Sequence, residues 1–246
     1  MDYKYFTVTN IGLKRLDNED SLGIYEIENG ILAIVCDGLG GNKAGDVASQ
    51  LSVNTVYEFF KSSAQKDYLE RINSAIIEAN ISILRKASSS SDYHGMATTI
   101  EVLFLVDNTA YFGHVGDSRI YILQNRKLIQ LTKDHSLVQK LIDEGFLTAD
   151  EAEYHPNRNI IMRALGDNTS IEIDLNKITL NSNDDFMFFL CTDGVTTVIK
   201  NIELEEILSN SGSIKETLSE LITQRGAPDN FSFVCITKKN ELLDSN

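Results

Sequence analysis

The first part of the chain alternates between short apolar runs and turn residues in a way that predicts an antiparallel hairpin. Apolar runs at 22–28 and 31–36 are separated by Asn29-Gly30, a dipeptide typical of type I′ turns. Apolar residues then recur at helical spacing over 44–60 and 68–86. This spacing predicts two amphipathic helices that pack as a pair.

The middle of the chain returns to strand patterns and then loses them. Four strands with short polar turns are predicted, at 98–106, 110–115, 119–124 and 127–131. Residues 132–168 carry only short helical pieces, which indicates a small subdomain inserted beside a core.

The last third again predicts strands and helices in separate groups. Strands are expected at 170–180, 185–191 and 231–237, and helices near 203–209 and 213–225. Runs of neighbouring strands alternating with helix pairs favour antiparallel sheets covered by helices over a parallel doubly wound sheet. Because the chain has no internal repeat and no Pro-rich linker, we expect an α+β fold in a single domain over 1–246, with 132–168 inserted.

Charge and composition narrow the possible functions. The 246 residues include 36 acidic and 22 basic side chains, a net charge of −14, which disfavours nucleic-acid binding and favours divalent cations. The longest apolar runs are too short to cross a bilayer and the start lacks a signal-peptide pattern, so the expected location is cytoplasmic, without membrane association. Three widely spaced cysteines in apolar runs are expected to be buried hydrophobic residues rather than disulfides.

Four aspartates share one context, because each lies where an apolar strand meets a turn: Asp37, Asp117, Asp193 and Asp229. A single aspartate of this kind is most often a turn-capping residue. Repetition at several strand ends favours a shared cation, since a carboxylate near a buried strand is costly to desolvate without a positive partner. Oxygen-only ligands suit magnesium or manganese better than zinc.

The glycine-rich segment 37–46 follows a strand and precedes a helix, as a nucleotide-binding loop would. A dinucleotide fingerprint fails at Lys43, and a Walker loop fails at Asp46-Val47. The glycines instead allow backbone carbonyls to approach a cation held by Asp37. None of the histidines shows zinc-site spacing, and His114, in an alternating strand, is expected to be a hydrogen-bonded core residue.

The segment 12–20 contains Arg15, Glu19 and Asp20. Taken alone it reads as a solvated charged loop. Beside a divalent-cation site, an arginine can grip a phosphoryl group through two oxygens, and nearby carboxylates can hold metal-bound waters.

With these residues in place, the sequence resembles the bacterial metal-dependent protein phosphatases of type 2C, the PPM family. The resemblance runs nearly end to end, through GLKRLDNEDS at 12–21, DGLGGNKAGDVAS at 37–49, MATT at 96–99, GHVGDSRIY at 113–121, LTKDHSLVQ at 131–139, HPNRNIIMRALG at 155–166, LCTDGV at 190–195 and GAPDNFSFV at 226–234. It implies a four-layer αββα sandwich, with two antiparallel sheets flanked by helix pairs and with 132–168 as the family's flap.

The resemblance also implies a set of metal ligands. Asp37 would bridge two Mn²⁺ or Mg²⁺ ions, the Gly38 carbonyl would assist one, and Asp193 and Asp229 would hold the other. Asp117 matches the aspartate that binds a third ion in bacterial members, with Asp193 shared.

Further roles follow from the same resemblance. Arg15 would bind phosphate, Glu19 and Asp20 would order metal-bound water, and Arg15 and Asp20 are the expected catalytic residues. Family members often carry a histidine at the position of Leu39 or of Asn42, and a general-acid role is assigned to it in some of them. Here neither residue is a histidine, so a metal-bound water or the flap would have to protonate the leaving group.

Three functions are therefore open to test. The first is hydrolysis of phosphoserine and phosphothreonine in proteins by a metal-activated water. The second is a pseudophosphatase that binds phosphoproteins without hydrolysis, and the third is a nucleotide-binding module, which the glycine spacing disfavours. The expected partners of the first are phosphorylated proteins, including a serine/threonine kinase, and the chain is expected to be a monomer.

Overall fold

Two antiparallel sheets form the centre of the computed structural model, which describes residues 3–28, 30–39, 44–181, 184–210 and 212–238. The strands are β1 (Tyr3–Asn10), β2 (Asp20–Ile27), β3 (Gly30–Leu39), β4 (Ala97–Thr98), β5 (Ile100–Val106), β6 (Thr109–Val115), β7 (Arg119–Gln124), β8 (Lys127–Gln130), β9 (Asp174–Thr179), β10 (Phe186–Cys191) and β11 (Phe231–Lys238). The helices are α1 (Gly45–Ser62), α2 (Tyr68–Ala87), α3 (Leu137–Asp143), α4 (Ala149–Glu153), α5 (Asp193–Thr196), α6 (Asn201–Ser209) and α7 (Ile214–Gln224).

The strand order shows how the chain builds the two sheets. The first sheet runs β1-β11-β10-β7-β8 and the second β2-β3-β5-β6-β9, with β4 beside β3. All the strand pairs in this part of the chain are antiparallel. The predicted pairing of 22–28 with 31–36 is confirmed as β2 and β3, whereas Asn29 of the predicted turn lies outside the described residues.

Three apolar layers account for the stacking of these elements. Alternating side chains of both sheets meet in a middle layer that includes Leu103, Phe112 and Phe188. The opposite face of the second sheet packs against α1 and α2, and that of the first sheet packs against α6 and α7. The predicted α+β fold, an αββα sandwich, is confirmed.

The outer helices form where periodicity and capping agree. The Asp67 side chain caps α2 by accepting hydrogen bonds from the backbone amides of Leu69 and Glu70, at 3.0 and 3.3 Å. Arg85 and Lys86 lie in its last turn, where positive charge is favourable. One face of α2 is buried, as the spacing predicted, so tertiary packing and local preference specify the same helix.

Some elements differ from the prediction. The strand β1, the short β4 and the four-residue α5 were not predicted, and β9 begins at Asp174 instead of residue 170. The three cysteines are free and buried, as expected. Among the described helices, none combines the length and the apolar character that a bilayer span requires.

Residues 132–168, the predicted flap, contain α3 and α4 and are anchored to the sandwich at both ends. At its start, the backbone amide of His135 donates to the Gly116 carbonyl at 2.7 Å. At its end, Leu165 exchanges two backbone hydrogen bonds with Thr98, of 2.9 and 3.1 Å. Asn80 of α2 accepts from the Gly166 amide at 2.8 Å. The flap therefore begins and ends next to the strands that carry the candidate site.

Candidate functional site

Asp37 and Gly38 lie at the end of β3, where the strand leaves the sheet. The Asp37 amide donates to Thr99 Oγ1 at 2.9 Å, and its carbonyl accepts from the Thr99 amide at 2.9 Å and from Thr98 Oγ1 at 2.8 Å. A Cβ atom at Gly38 would collide with the Gly45 and Glu19 backbones. The local backbone is thus held on both sides, and only glycine fits beside Asp37.

Asp193 and Asp229 come from the neighbouring sheet. Asp193 is the first residue of α5, directly after β10, and Asp229 directly precedes Asn230 and β11. Because β10 and β11 are paired, these two aspartates lie at one end of the first sheet. The carboxyl groups of Asp37 and Asp193 lie within hydrogen-bonding reach of each other across the sandwich.

Asp117 follows β6 and is only 9% exposed. Its Oδ1 atom is buried and has no hydrogen-bond partner among the described residues. The preceding residue, Gly116, has φ +124°, and a Cβ atom there would strike the Thr99 side chain. A buried carboxylate oxygen without a donor is costly, so this orphaned atom is suited to a cation.

The segment before β2 brings the remaining residues to the same place. Arg15 Nη2 donates to Asp229 Oδ2 at 2.7 Å, and the Arg15 side chain remains 48% exposed. Glu19 is partly buried and its carboxylate accepts from the Gly45 amide. Asp20 is 7% exposed, and its Oδ2 accepts from Thr192 Oγ1 at 2.9 Å. The structure therefore brings together all the residues that the sequence selected.

Mutual repulsion and burial raise the pKa values of these acids. Burial, with smaller contributions from Asp193 and Asp229, raises the pKa of Asp20 to about 7. Burial and the nearby Asp193 raise that of Asp117 to about 8. Burial raises the pKa of Asp37 well above its usual range, with Asp193 as the next cause, and raises that of Asp193, with Asp229 as the next cause.

This donor set fits divalent metal ions that prefer oxygen. It consists of carboxylates and backbone carbonyls, which suit Mg²⁺ and Mn²⁺, and it contains an orphaned acceptor on Asp117. Within the described residues no three His, Cys, Asp or Glu side chains already stand in a ligating arrangement. Asp229 pairs instead with Arg15, so the cation nearest to that carboxylate is a side chain of the protein itself.

A cavity of about 670 Å³ opens beside Asp117 and Asp193, between the flap and the sandwich. Side chains of α3 and α4 line one wall, and α5 and the start of α6 line the other. An ion pair of 2.9 Å between Lys200 Nζ and Glu153 Oε2 joins these two walls. The acidic centre is therefore continuous with an open groove between the flap and the sandwich.

Sequence reasoning missed several residues that hold the site in place. Asn230 accepts from the Glu19 amide at 2.9 Å and donates to the carbonyls of Ile11 and Asp17, at 2.9 and 3.0 Å. Thr99 connects Asp37 to Ser118, through a 2.9 Å hydroxyl contact. These residues lie inside the matching strings at 226–234, 96–99 and 113–121, which was the available signal, although no pattern showed what they contact.

Leu39 and Asn42 are the two positions at which family members often carry a histidine. Leu39 is partly buried at the end of β3. Asn42 lies outside the described residues.

Comparison with known proteins identifies the family. A family model described as protein phosphatase 2C matches residues 14–230. The chain is 35% identical over 238 residues to the serine/threonine phosphatase stp of Listeria monocytogenes serovar 1/2a, covering 94% of each chain. The crystal structure of the serine/threonine phosphatase Stp1 from Staphylococcus aureus superposes with a TM-score of 0.90 at 30% identity, covering 98% of this chain and 96% of that one.

A further solved structure carries metal. The catalytic domain of the serine/threonine protein phosphatase PstP, in complex with two manganese ions, superposes with a TM-score of 0.83 at 31% identity, covering 95% of this chain and 97% of that one. The match to the family model covers most of the described sandwich and all the candidate site residues. The chain belongs to the protein phosphatase 2C family.

Proposed function

We propose that this protein hydrolyses phosphoserine and phosphothreonine in other proteins, at a centre of two Mn²⁺ or Mg²⁺ ions. The observation that carries the proposal is the meeting of four strand-end aspartates, three of which, Asp37, Asp117 and Asp193, have pKa values raised by burial and by neighbouring carboxylates. Family membership and the two manganese ions of the PstP structure support it.

The ligand roles are those that the family resemblance implies. Asp37, whose carboxyl group lies within hydrogen-bonding reach of Asp193, would bridge the ions, with the Gly38 carbonyl beside it, while Asp193 and Asp229 would hold the second ion from the end of the first sheet. Asp117, with its orphaned oxygen, would hold a third ion together with Asp193. When bound, such ions lower the pKa of a water molecule and neutralise charge on phosphoryl oxygens.

Arg15 is placed to bind the phosphoryl group. Its guanidinium occupies the edge of the acidic centre against Asp229, and half of the side chain is open to solvent. An exposed ion pair of this kind is weak. The Arg15 guanidinium could therefore release Asp229 and bind two phosphoryl oxygens if a metal ion neutralised that carboxylate.

Asp20 and Glu19 would orient water. Thr192 and Ser232 donate hydrogen bonds to the Asp20 carboxylate and thereby fix its direction. The Gly45 amide does the same for Glu19. Neither Leu39 nor Asn42 can supply an imidazole acid, so a water molecule of the site or a flap residue would protonate the leaving oxygen.

The partners follow from the reaction. The substrates would be phosphorylated proteins, which the groove beside Asp117 has room to receive, with a serine/threonine kinase among them. The monomeric state and the cytoplasmic location expected from the sequence stay predictions.

The decisive experiment compares phosphatase activity with and without metal. The protein is assayed on an aryl phosphate and on a phosphothreonine peptide with manganese, and then with chelator. We expect turnover of both substrates that chelation abolishes and added manganese restores. Binding of the phosphopeptide without turnover would instead identify a pseudophosphatase, and binding of nucleotide alone would identify a nucleotide-binding module.

A further inference from the structure

Glu101 and His114 form a charged pair buried between the two sheets. They are directly opposite partners on β5 and β6, with exposures of 0% and 1%. His114 Nδ1 lies 2.5 Å from Glu101 Oε1. On the same two strands, the next pair on that face is Leu103 opposite Phe112, which belongs to the apolar middle layer. The charged pair thus replaces an ordinary apolar pair at the end of the layer nearest the acidic centre.

Such a pair is expensive to bury, because each ion loses several kcal/mol of hydration. Burial alone lowers the pKa of His114, but the Glu101 carboxylate and the Lys133 carbonyl raise it to about 9. Burial raises the pKa of Glu101 to about 7. One proton of His114 is fixed by geometry, because the Lys133 carbonyl can only accept and Nε2 therefore carries a hydrogen.

Both ring nitrogens of His114 form hydrogen bonds, and one of these bonds reaches the start of the flap. Nδ1 is bonded to Glu101 Oε1, and Nε2 donates to the Lys133 carbonyl at 2.9 Å. The His114 ring also lies against the His135 ring, with centroids 4.3 Å apart. Residues 133–135 therefore pack against the buried Glu101–His114 pair.

The same residues of the flap form hydrogen bonds and an ion pair with the loop that carries Asp117. His135 forms a two-way contact with Gly116, since its amide donates to the Gly116 carbonyl at 2.7 Å and its Nδ1 accepts from the Gly116 amide at 3.1 Å. Asp134 binds Arg119 through contacts of 2.7–3.1 Å. Asp117 lies between these two attachment points.

We propose that Glu101 and His114 are positioning residues that set the start of the flap against the 116–119 loop and so hold Asp117 ready for a divalent cation. Neither residue reaches the reacting atoms. The pair acts through Lys133 and His135 on one side and through Gly116 on the other. The cation-binding role of Asp117 rests on the proposed function, whereas the coupling between the start of the flap and the 116–119 loop does not.

A double substitution separates positioning from simple core stability. Replacing a buried ion pair by apolar residues is often neutral for stability, so Glu101→Leu/His114→Leu should fold while losing the contacts to Lys133 and His135. The matched control is Leu103→Ile/Phe112→Leu, which alters the neighbouring apolar pair on the same face.

Amide hydrogen exchange and manganese titration supply the readouts. In metal-free protein the double variant should exchange about tenfold faster in segments 114–119 and 133–137, with β10 and β11 unchanged. Calorimetric titration should show its weakest manganese-binding step weakened about tenfold, as expected when a group that orients a ligand is removed. The control should match wild type in both measurements.

Each other outcome contradicts the proposal. If the folded double variant shows wild-type hydrogen exchange and manganese binding, Glu101 and His114 only fill the core. The same conclusion would follow if hydrogen exchange became faster by the same factor in β10 and β11. If the double variant does not fold, nitrogen NMR of wild-type His114 decides, because a neutral ring without a protected Nε2 proton would overturn the contact to Lys133. Exchange and NMR do not require phosphatase activity, so they stand even if the proposed reaction is absent.

Discussion

Two clusters of charged groups lie a short distance apart in this molecule, and they are balanced in opposite ways. Around Glu101 and His114, the imidazole pairs with Glu101 Oε1 and with the Lys133 carbonyl, and of these two side chains only Glu101 Oε2 lacks a partner among the described residues. At the strand ends, Asp37, Asp117 and Asp193 face one another, and burial together with mutual repulsion raises their pKa values.

The difference shows which cluster is built for a ligand. A buried pair of opposite charges neutralises itself and can support a position without a ligand. A buried set of like charges destabilises the fold unless a cation joins it, so such a set is a candidate cation site. Arg15 pairs instead with Asp229 at 2.7 Å and lies 4.0 Å from Glu19, and it does so from a partly exposed position that it can leave.

The largest expected effect comes from removing one charge of the unbalanced set. Asp193→Asn should reduce turnover of a phosphopeptide by at least ~100-fold, about 2.7 kcal/mol of transition-state stabilisation. Because the substitution also relieves repulsion, thermal unfolding in chelator should show no loss of stability. The exposed Asp92→Asn should behave as wild type, and an Asp193→Asn variant with normal metal-dependent turnover would refute the ligand assignment.

Removing the arginine at the edge of the acidic centre should have a smaller effect. Arg15→Ala should raise KM for a phosphopeptide about tenfold, with a lesser change in kcat, since the lost contact is charge-assisted and made in the ground state. Steady-state kinetics test this, with Lys14→Ala in the same loop as the control. A change confined to kcat would contradict phosphate binding by Arg15.

Asp117 should matter less than Asp193. Asp117→Ala should leave two tighter manganese ions bound and slow turnover roughly tenfold. Calorimetric titration would measure the number of bound ions and kinetics the turnover. Loss of all the ions in this variant would mean that Asp117 is not a separate site.

The smallest expected effect is the change of folding stability with pH, and this pH dependence distinguishes the two clusters. Unfolded aspartates titrate near 3.9, whereas the pKa values of Asp20 and Asp117 in the fold are about 7 and 8. The folded state therefore holds more protons between these limits, and the stability of metal-free protein should fall as pH rises from 5 to 8. Saturating manganese should remove the part of this loss that comes from Asp20 and Asp117 and leave the part that comes from Glu101 and His114, whose pKa values are raised to about 7 and about 9.

The balanced pair should respond differently to the same titration. The pKa of His114 is raised to about 9, so its contribution is present below pH 6.5 and is lost as pH rises through 9. Manganese should not alter that loss, but Glu101→Leu/His114→Leu should abolish it. Thermal unfolding at several pH values, with and without manganese, distinguishes the two slopes, and a single slope unaffected by metal would contradict the comparison.

Local patterns were sufficient for most elements and insufficient for a few. Strong periodicity predicted α1 and α2, because each buries one face against a sheet. The edge strand β1 was missed, since it has a half-buried pattern and pairs with residues more than 200 positions away, beginning with Tyr3 opposite Lys238. The helix α5 is too short for any periodicity to show.

The candidate site likewise has a part that could be predicted from the sequence and a part that could not. The aspartates could be selected from their place after apolar strands, and the family resemblance assigned them roles. The contacts that hold them could not be selected, because Asn230 reaches Ile11 across 219 positions and Thr192 reaches Asp20 across 172. The Arg15–Asp229 ion pair was also unexpected. The motif predicts that Arg15 binds phosphate, but it does not indicate which residue Arg15 contacts when no ligand is bound.

The position of β11 has a consequence for synthesis on the ribosome. This strand comes late in the chain but lies inside its sheet, between β1 and β10, and Asp229 and Asn230 directly precede it. A nascent chain that lacks β11 leaves the edges of β1 and β10 unpaired and has no anchor for the Arg15 loop. The acidic centre therefore cannot be complete until β11 has been synthesised and has paired with both neighbouring strands.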